Sequence, residues 1–104
     1  MQTEFNVKKL KSGDCKLEVK GDLVIKHSID FKNQLSRCVE GCKNLVISLE
    51  EITAIDVTAI QMIQSLRNEF NGSPRNLTVI SPSNESILIS LRNSGLLRVI
   101  TNNA

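Results

Sequence analysis

The chain has 104 residues, 40% of them hydrophobic and 23% charged, an ordinary mix for one folded domain spanning 1–104. Its formal net charge of +2 is too small to imply a nucleic-acid partner. It has three Phe and neither Trp nor Tyr, so the core must be largely aliphatic. No apolar run approaches the roughly 20 residues of a membrane span, and the opening "MQTEFNVKKLK" lacks the apolar core of a signal peptide. The expectation is a cytoplasmic protein without membrane insertion.

The first stretch alternates at Phe5 and Val7, then turns at "SGD". In "CKLEVK", Cys15, Leu17 and Val19 point one way and Lys16, Glu18 and Lys20 the other. This period of two marks a strand with one wet face. Gly21 and Asp22 are expected to break it, with Leu23–Ile25 as a short further strand and an antiparallel, hairpin-like opening. Lys8, Lys9, Lys11, Lys16, Lys20 and Lys26 interleave with Glu4, Asp14, Glu18 and Asp22. That pattern reads as a solvated sheet face rather than a phosphate-binding stripe.

Ser28 is placed to cap a helix, with Asp30 in its first turn. Phe31, Leu35, Cys38 and Val39 keep helical spacing, and Gly41 ends the helix. In "NLVISLE" the near-continuous Leu45, Val46, Ile47 and Leu49 suggest a central strand covered on both faces. Ala59, Ile63, Leu66 and Phe70 then predict an amphipathic helix over 57–71. "NGSPRN" is a turn and "LTVIS" a second buried strand. Ser81 as cap, Pro82 at the first helical position and Gly95 as terminator frame a last helix. Leu96, Leu97, Val99 and Ile100 close the core as a short strand or helix. The two strand–helix–strand passages imply parallel pairing. The expected fold is α/β, a mixed sheet of four to five strands with helices mainly on one face.

Candidate chemistry is sparse. Cys15, Cys38 and Cys42 are an odd count without an export signal, which argues against a disulfide framework. With His27, the single histidine, they lack the spacing of a metal site and read as half-buried small hydrophobes. No nucleophile–base pair and no glycine-rich phosphate loop is visible, so neither catalytic residues nor a cofactor are expected. The informative place is "EEITAIDVTAIQMIQ". Asp56 is positioned to cap the 57–71 helix, its carboxylate accepting from the N–H of Thr58 or Ala59. Thr58 then sits in the first turn, where backbone N–H groups lack helical partners and a hydroxyl can stay open to solvent. Glu50 and Glu51 are expected near it, at the end of the preceding strand.

The element order, "VKGDL", "VISLEEITAIDVTAIQMI" and the late "SPSNESILISLRNSGLLRVI" resemble the STAS domain, whose members include bacterial anti-sigma factor antagonists. The family pattern opens a helix with Asp-Ser-Ser-Gly; the matching positions here are Asp56, Val57, Thr58 and Ala59. In the antagonists the second serine is phosphorylated by a kinase that is also the anti-sigma factor, and the unphosphorylated antagonist binds that ATPase and frees the sigma factor. The resemblance therefore implies a non-enzymatic switch with Thr58 as phosphoacceptor. Asp56, Val57, Thr58, Ala59, Gln61 and Met62 would be its contact region, with Ser28 and the "KGD" turn on the same rim. Val57 and Ala59 depart from the pattern. A related branch, matched by Asp56, Ala59 and Gln61, works in ABC-type lipid transporters or chemosensory complexes, many members without a phosphoacceptor. That branch is the alternative expectation.

Overall fold

The computed structural model describes residues 3–9, 13–24, 26 and 28–100, with only the backbone of Ser28. The expected turn at Ser12, the end of the Leu23–Ile25 segment, His27 and the Ser28 side chain lie outside them. Four strands, β1 (Glu4–Lys9), β2 (Asp14–Leu23), β3 (Asn44–Ile55) and β4 (Asn76–Ile80), form one sheet in the order β1-β2-β3-β4. β1 pairs antiparallel with β2; β2–β3 and β3–β4 are parallel. Helices α1 (Ser28–Val39) and α2 (Val57–Asn71) make the two crossovers, α3 (Glu85–Asn93) follows β4, and a 3-10 helix spans Leu97–Ile100. Both crossovers step the same way across the sheet. Right-handed connections then put α1 and α2 on the same face. The buried residues accordingly form a single cluster.

The period of two in β2 places Cys15, Leu17, Val19 and Leu23 in that core. The opposite face carries the charges. The Glu18 carboxylate lies 3.1 Å from Lys8 Nζ and 3.8 Å from Lys16 Nζ. The Lys8 ammonium, by hydrogen bond and charge, holds Glu18 below the usual carboxylate range. Gly21 does not end β2. It takes φ +87°, open to glycine without penalty. The pairing with β3 slips between Glu18 and Lys20 and again between Gly21 and Asp22, each time by an extra residue on β3, so β2 runs on through Gly21 opposite a bulged partner. There is thus no separate strand beginning at Leu23.

β3 is covered on one face, not both. Leu45, Ile47, Leu49 and Ile52 are buried, while Val46 is half-buried on the charged face between Lys16 and Thr78. In β4 only Val79 is fully buried, since β4 is a sheet edge. At the start of the parallel strands a polar ladder fixes register: Asn76 Nδ2 donates to Asn44 Oδ1 (2.9 Å), and Asn44 Nδ2 to Asp14 Oδ1 (2.8 Å).

Helix α2 has the predicted bounds, and Ala59, Ile63, Leu66 and Phe70 are buried together with Ile60. The start of α3 differs from expectation. The N–H and hydroxyl of Ser83 both donate to Glu50 O (3.2 and 2.8 Å), tying this segment to β3. Asn84, not Ser81, caps the helix, accepting from the N–H groups of Ser86 and Ile87. At the far end Gly95 has φ +77°, with Gly95 N–H on Arg92 O and Leu96 N–H on Leu91 O. This is a Schellman ending.

The three cysteines are free thiols and fully buried rather than half-buried: Cys15 5%, Cys38 0% and Cys42 2% exposed. Desolvation, and then the neighbouring Cys15 thiol, pushes Cys42 up to about 12; burial raises Cys38 too. Thiolate is the reactive form. A disulfide reagent at pH 8 should therefore leave the native protein almost unmodified and titrate all three thiols once guanidinium unfolds it. Prompt labelling before unfolding would show that the seam between β2 and α1 opens.

Candidate functional site

The C-terminal ends of β2 and β3 lead into the N-termini of α1 and α2, and the residues singled out in the sequence gather at this rim. Asp56 is in extended geometry (φ −114°, ψ 175°) and Oδ1 accepts from Ala59 N–H at 3.0 Å. Its own N–H donates to Leu23 O (3.2 Å), and Ile60 N–H closes the first helical bond on Asp56 O (3.2 Å). One residue thus joins β2, β3 and α2. A capping carboxylate of this kind contributes about 1 kcal/mol.

With Ala59 N–H taken by the carboxylate, the N–H groups of Val57 and Thr58 point out of the helix start, without intrahelical acceptors. The first turn contains no acidic residue. Thr58 is half-buried and Val57 is 54% exposed. Ala59, at 3% exposure, belongs to the core and lets the helix start lie close to the sheet. Gln61 is exposed. Met62 faces a groove of about 570 Å³ between α1 and α2, lined also by Leu35, Val39 and Leu66. The six residues therefore divide: Val57, Thr58 and Gln61 face outward beside the Asp56 cap, Met62 faces the groove, and Ala59 faces inward.

Glu50 and Glu51 are not at the end of the strand. They are consecutive exposed residues where the register slips, and β3 continues to Ile55. Glu51 pairs with Lys20 at 3.4 Å. At about 3.3 Å per residue, four further strand residues put Glu51 some 13 Å from the strand end. That exceeds the screening length of about 8–10 Å. Asp56 is thus the carboxylate that a charge on Thr58 would meet first along the chain.

Two features of the rim were not apparent from the sequence. The Thr53 hydroxyl donates to Asp22 Oδ1 at 2.5 Å, and the Thr3 hydroxyl to Asp22 O. Asp22 faces Ala54 in the β2–β3 register, which brings the "KGD" segment to the approach of α2. Ile29, in the first turn of α1, is 72% exposed. No helix among the described residues is long and apolar enough to cross a membrane, and no group of three metal-ligating side chains occurs among them.

The chemistry available here is that of a presented hydroxyl. A phosphate on Thr58 would meet the positive end of α2 and its first-turn N–H groups, a favourable setting for an anion. It would replace a small polar patch by about −1.5 to −2 charges.

Comparison with known structures identifies the same architecture elsewhere. The unphosphorylated form of the anti-sigma factor antagonist SpoIIAA superposes with a TM-score of 0.72 at 12% identity, over 90% of this chain and 83% of that one. The phosphorylated form of SpoIIAA, a Bacillus cell fate determinant, gives 0.68 at 13%, over 89% and 85%. An uncharacterised Shewanella loihica protein with a SpoIIAA-like fold gives 0.53 at 12%, over 89% and 76%. At these identities the likeness is one of fold. A search of curated protein sequences finds no match. The family model for the STAS domain, however, matches residues 6–103, nearly the whole chain, and the chain belongs to the STAS domain family.

Proposed function

We propose that this protein is a non-enzymatic, cytoplasmic binding switch of the anti-sigma factor antagonist type, controlled by phosphorylation of Thr58. The carrying observation is the capped start of α2, where Asp56 bonds to Ala59 N–H and leaves the Thr58 hydroxyl in the first turn beside an exposed Val57. The partner in this reading is a serine/threonine kinase-like ATPase that also acts as the anti-sigma factor. Unmodified protein binds it, and the phosphate abolishes binding by placing charge in the contact. Like charges or unpaired charges in an interface cost several kcal/mol, so the loss is about 100-fold or more.

A second reading is favoured by Val57 and Ala59, which put an exposed aliphatic and a buried methyl where antagonists carry serine and glycine. In it the same surface docks permanently onto a subunit of an ABC-type lipid transporter or a chemosensory complex, and Thr58 merely starts a helix.

Affinity capture from the native cell lysate with wild type and Thr58→Glu as baits separates the two. A kinase-like ATPase held by wild type and lost with T58E is the expected result. The same transporter or chemosensory proteins on both baits would overturn the switch.

A further inference from the structure

The groove faced by Met62 runs along two helices that point the same way. Both α1 and α2 connect parallel strands, so each runs from the rim to the opposite end of the sheet. Leu35 and Leu66, each 7% exposed, form the floor, with the half-buried Val39 and Met62 beside them. The polar residues of the groove are ordered along it. Lys32 stands toward the rim end of α1, while Glu40 and Glu69 stand at the far ends of α1 and α2. Ser36 and Ser65 lie between them. Glu40 follows the last residue of α1 but stays in helical register, its N–H donating to Ser36 O at 3.3 Å.

Lys32, Ser36 and Glu40 are spaced i, i+4, i+8, which aligns them on one face of α1, and all three are exposed. Among the described residues neither Lys32 nor Glu40 has an ion-pair partner, and Glu69 has Arg75 alone, at 3.9 Å. The groove therefore carries a cation at one end, an apolar floor and anions at the other end. Turned end for end, that order is its own complement. A two-fold axis at Ser36 lays α1 antiparallel on α1 of a second copy. Each Lys32 then faces the other copy's Glu40, and serine meets serine at the axis.

We infer that this groove is where two copies of the chain associate, as an antiparallel dimer about a two-fold axis at Ser36. A closed two-fold contact needs a self-complementary patch. The charge order along the groove supplies one, and a patch of single sign would not. Helices pack ridge into groove, so α1 of each copy seats between α1 and α2 of the other and covers the apolar floor. Lys32 of one copy then comes to Glu40 and Glu69 of the other. At 1.5 Å rise per residue, Lys32 and Glu40 are about 12 Å apart along α1, just over two turns. The small serine side chains at the crossing point let the helices approach closely. Nine residues line the groove, against about 20–30 residues a side in a standard interface, so the dimer is weak and reversible. The inference does not depend on Thr58, since Ser65, midway along the groove, lies about 10 Å further along α2.

The test is sedimentation velocity on the full chain from about 10 to 500 μM, a range that brackets a weak dimer, with Lys32→Glu and Glu40→Lys as variants. Both side chains are exposed, so each variant should keep the native fold and melting temperature. The wild-type sedimentation coefficient should rise with concentration, and the association should weaken as salt is added. Each variant alone sets like charges against each other at both ends of the contact, because the two-fold axis repeats the change. Its dimerisation should fall about tenfold. An equimolar mixture of the two variants should regain most of the wild-type association, since Lys32→Glu on one copy faces Glu40→Lys on the other and the unchanged pair remains. A monomer at every concentration, which leaves the groove to a small molecule or to a helix of another protein, overturns the inference. So does a dimer that either substitution leaves unchanged, and so do variants that fail to recover on mixing.

Discussion

Replacing Phe31 with alanine should cost about 3–5 kcal/mol. Phe31 is 0% exposed, on the face of α1 turned to the sheet, and its ring stacks on Phe5 of β1 (centroids 6.1 Å apart, planes 18° apart). The core is otherwise mostly aliphatic, and Phe5 is tied to its place in β1 opposite Val19, so the space can be refilled only in part. With about 5–15 kcal/mol holding a domain of this class together, the variant should show a much lower urea midpoint with nearly unchanged slope. Its melting temperature should fall by about 12 °C or more. Phe31→Leu keeps most of the volume and should cost much less. A loss below about 1 kcal/mol for Phe31→Ala would mean that α1 is not seated on β1 and β2 as described. The consequence reaches the rim, because α1 supplies one wall of the groove faced by Met62.

The elements legible in the sequence are those whose signals are local. The alternation in β2 and the 59-63-66-70 spacing in α2 each need only one side of the element to be dry, and both agree with the structure. What failed was set by distant parts of the chain. Val46 belongs to an apolar run, but its neighbours across the sheet are Lys16 and Thr78, and composition alone does not reveal that this face is open. Gly21 signals a break in isolation. Pairing with β3 carries the strand through it, with Gly21 opposite Ile52 and Asp22 opposite Ala54, and the extra residue falls on β3. Ser81-Pro82 is a sound helix start by local rules, yet the two hydrogen bonds that Ser83 donates to Glu50 O hold that segment against β3 until Asn84. The candidate site divides the same way. The Asp56 cap bridges three residues and was legible; the Thr53–Asp22 bond spans 31 and depends on strand register.

Thr58→Ala should abolish phosphate incorporation by the kinase of the proposed switch while leaving the fold in place. The side chain contributes one hydroxyl and one methyl at the second helical position, half-buried, and it is not part of the core cluster. Alanine is the better helix former by a few tenths of a kcal/mol, and the Asp56 bond to Ala59 N–H is untouched. The melting temperature should therefore hold or rise slightly, and the variant should still bind the kinase. Thr53→Ala is the informative companion. Thr53 is exposed and stands three residues before Asp56, but its hydroxyl is committed to Asp22 on an extended strand. Its loss should leave labelling at the wild-type rate. Labelling of Thr58→Ala as fast as wild type, or loss of labelling in Thr53→Ala alone, would remove Thr58 from the switch. Since Asp56 is one residue from Val57 and caps the same turn, Asp56→Asn probes the remaining element. Asparagine caps about as well as aspartate, so stability should hold. The phosphorylated variant should be more stable relative to its unphosphorylated form than phosphorylated wild type is, because the carboxylate two residues before Thr58 is gone. Equal shifts in the two proteins would show that Asp56 acts on Thr58 only as a cap.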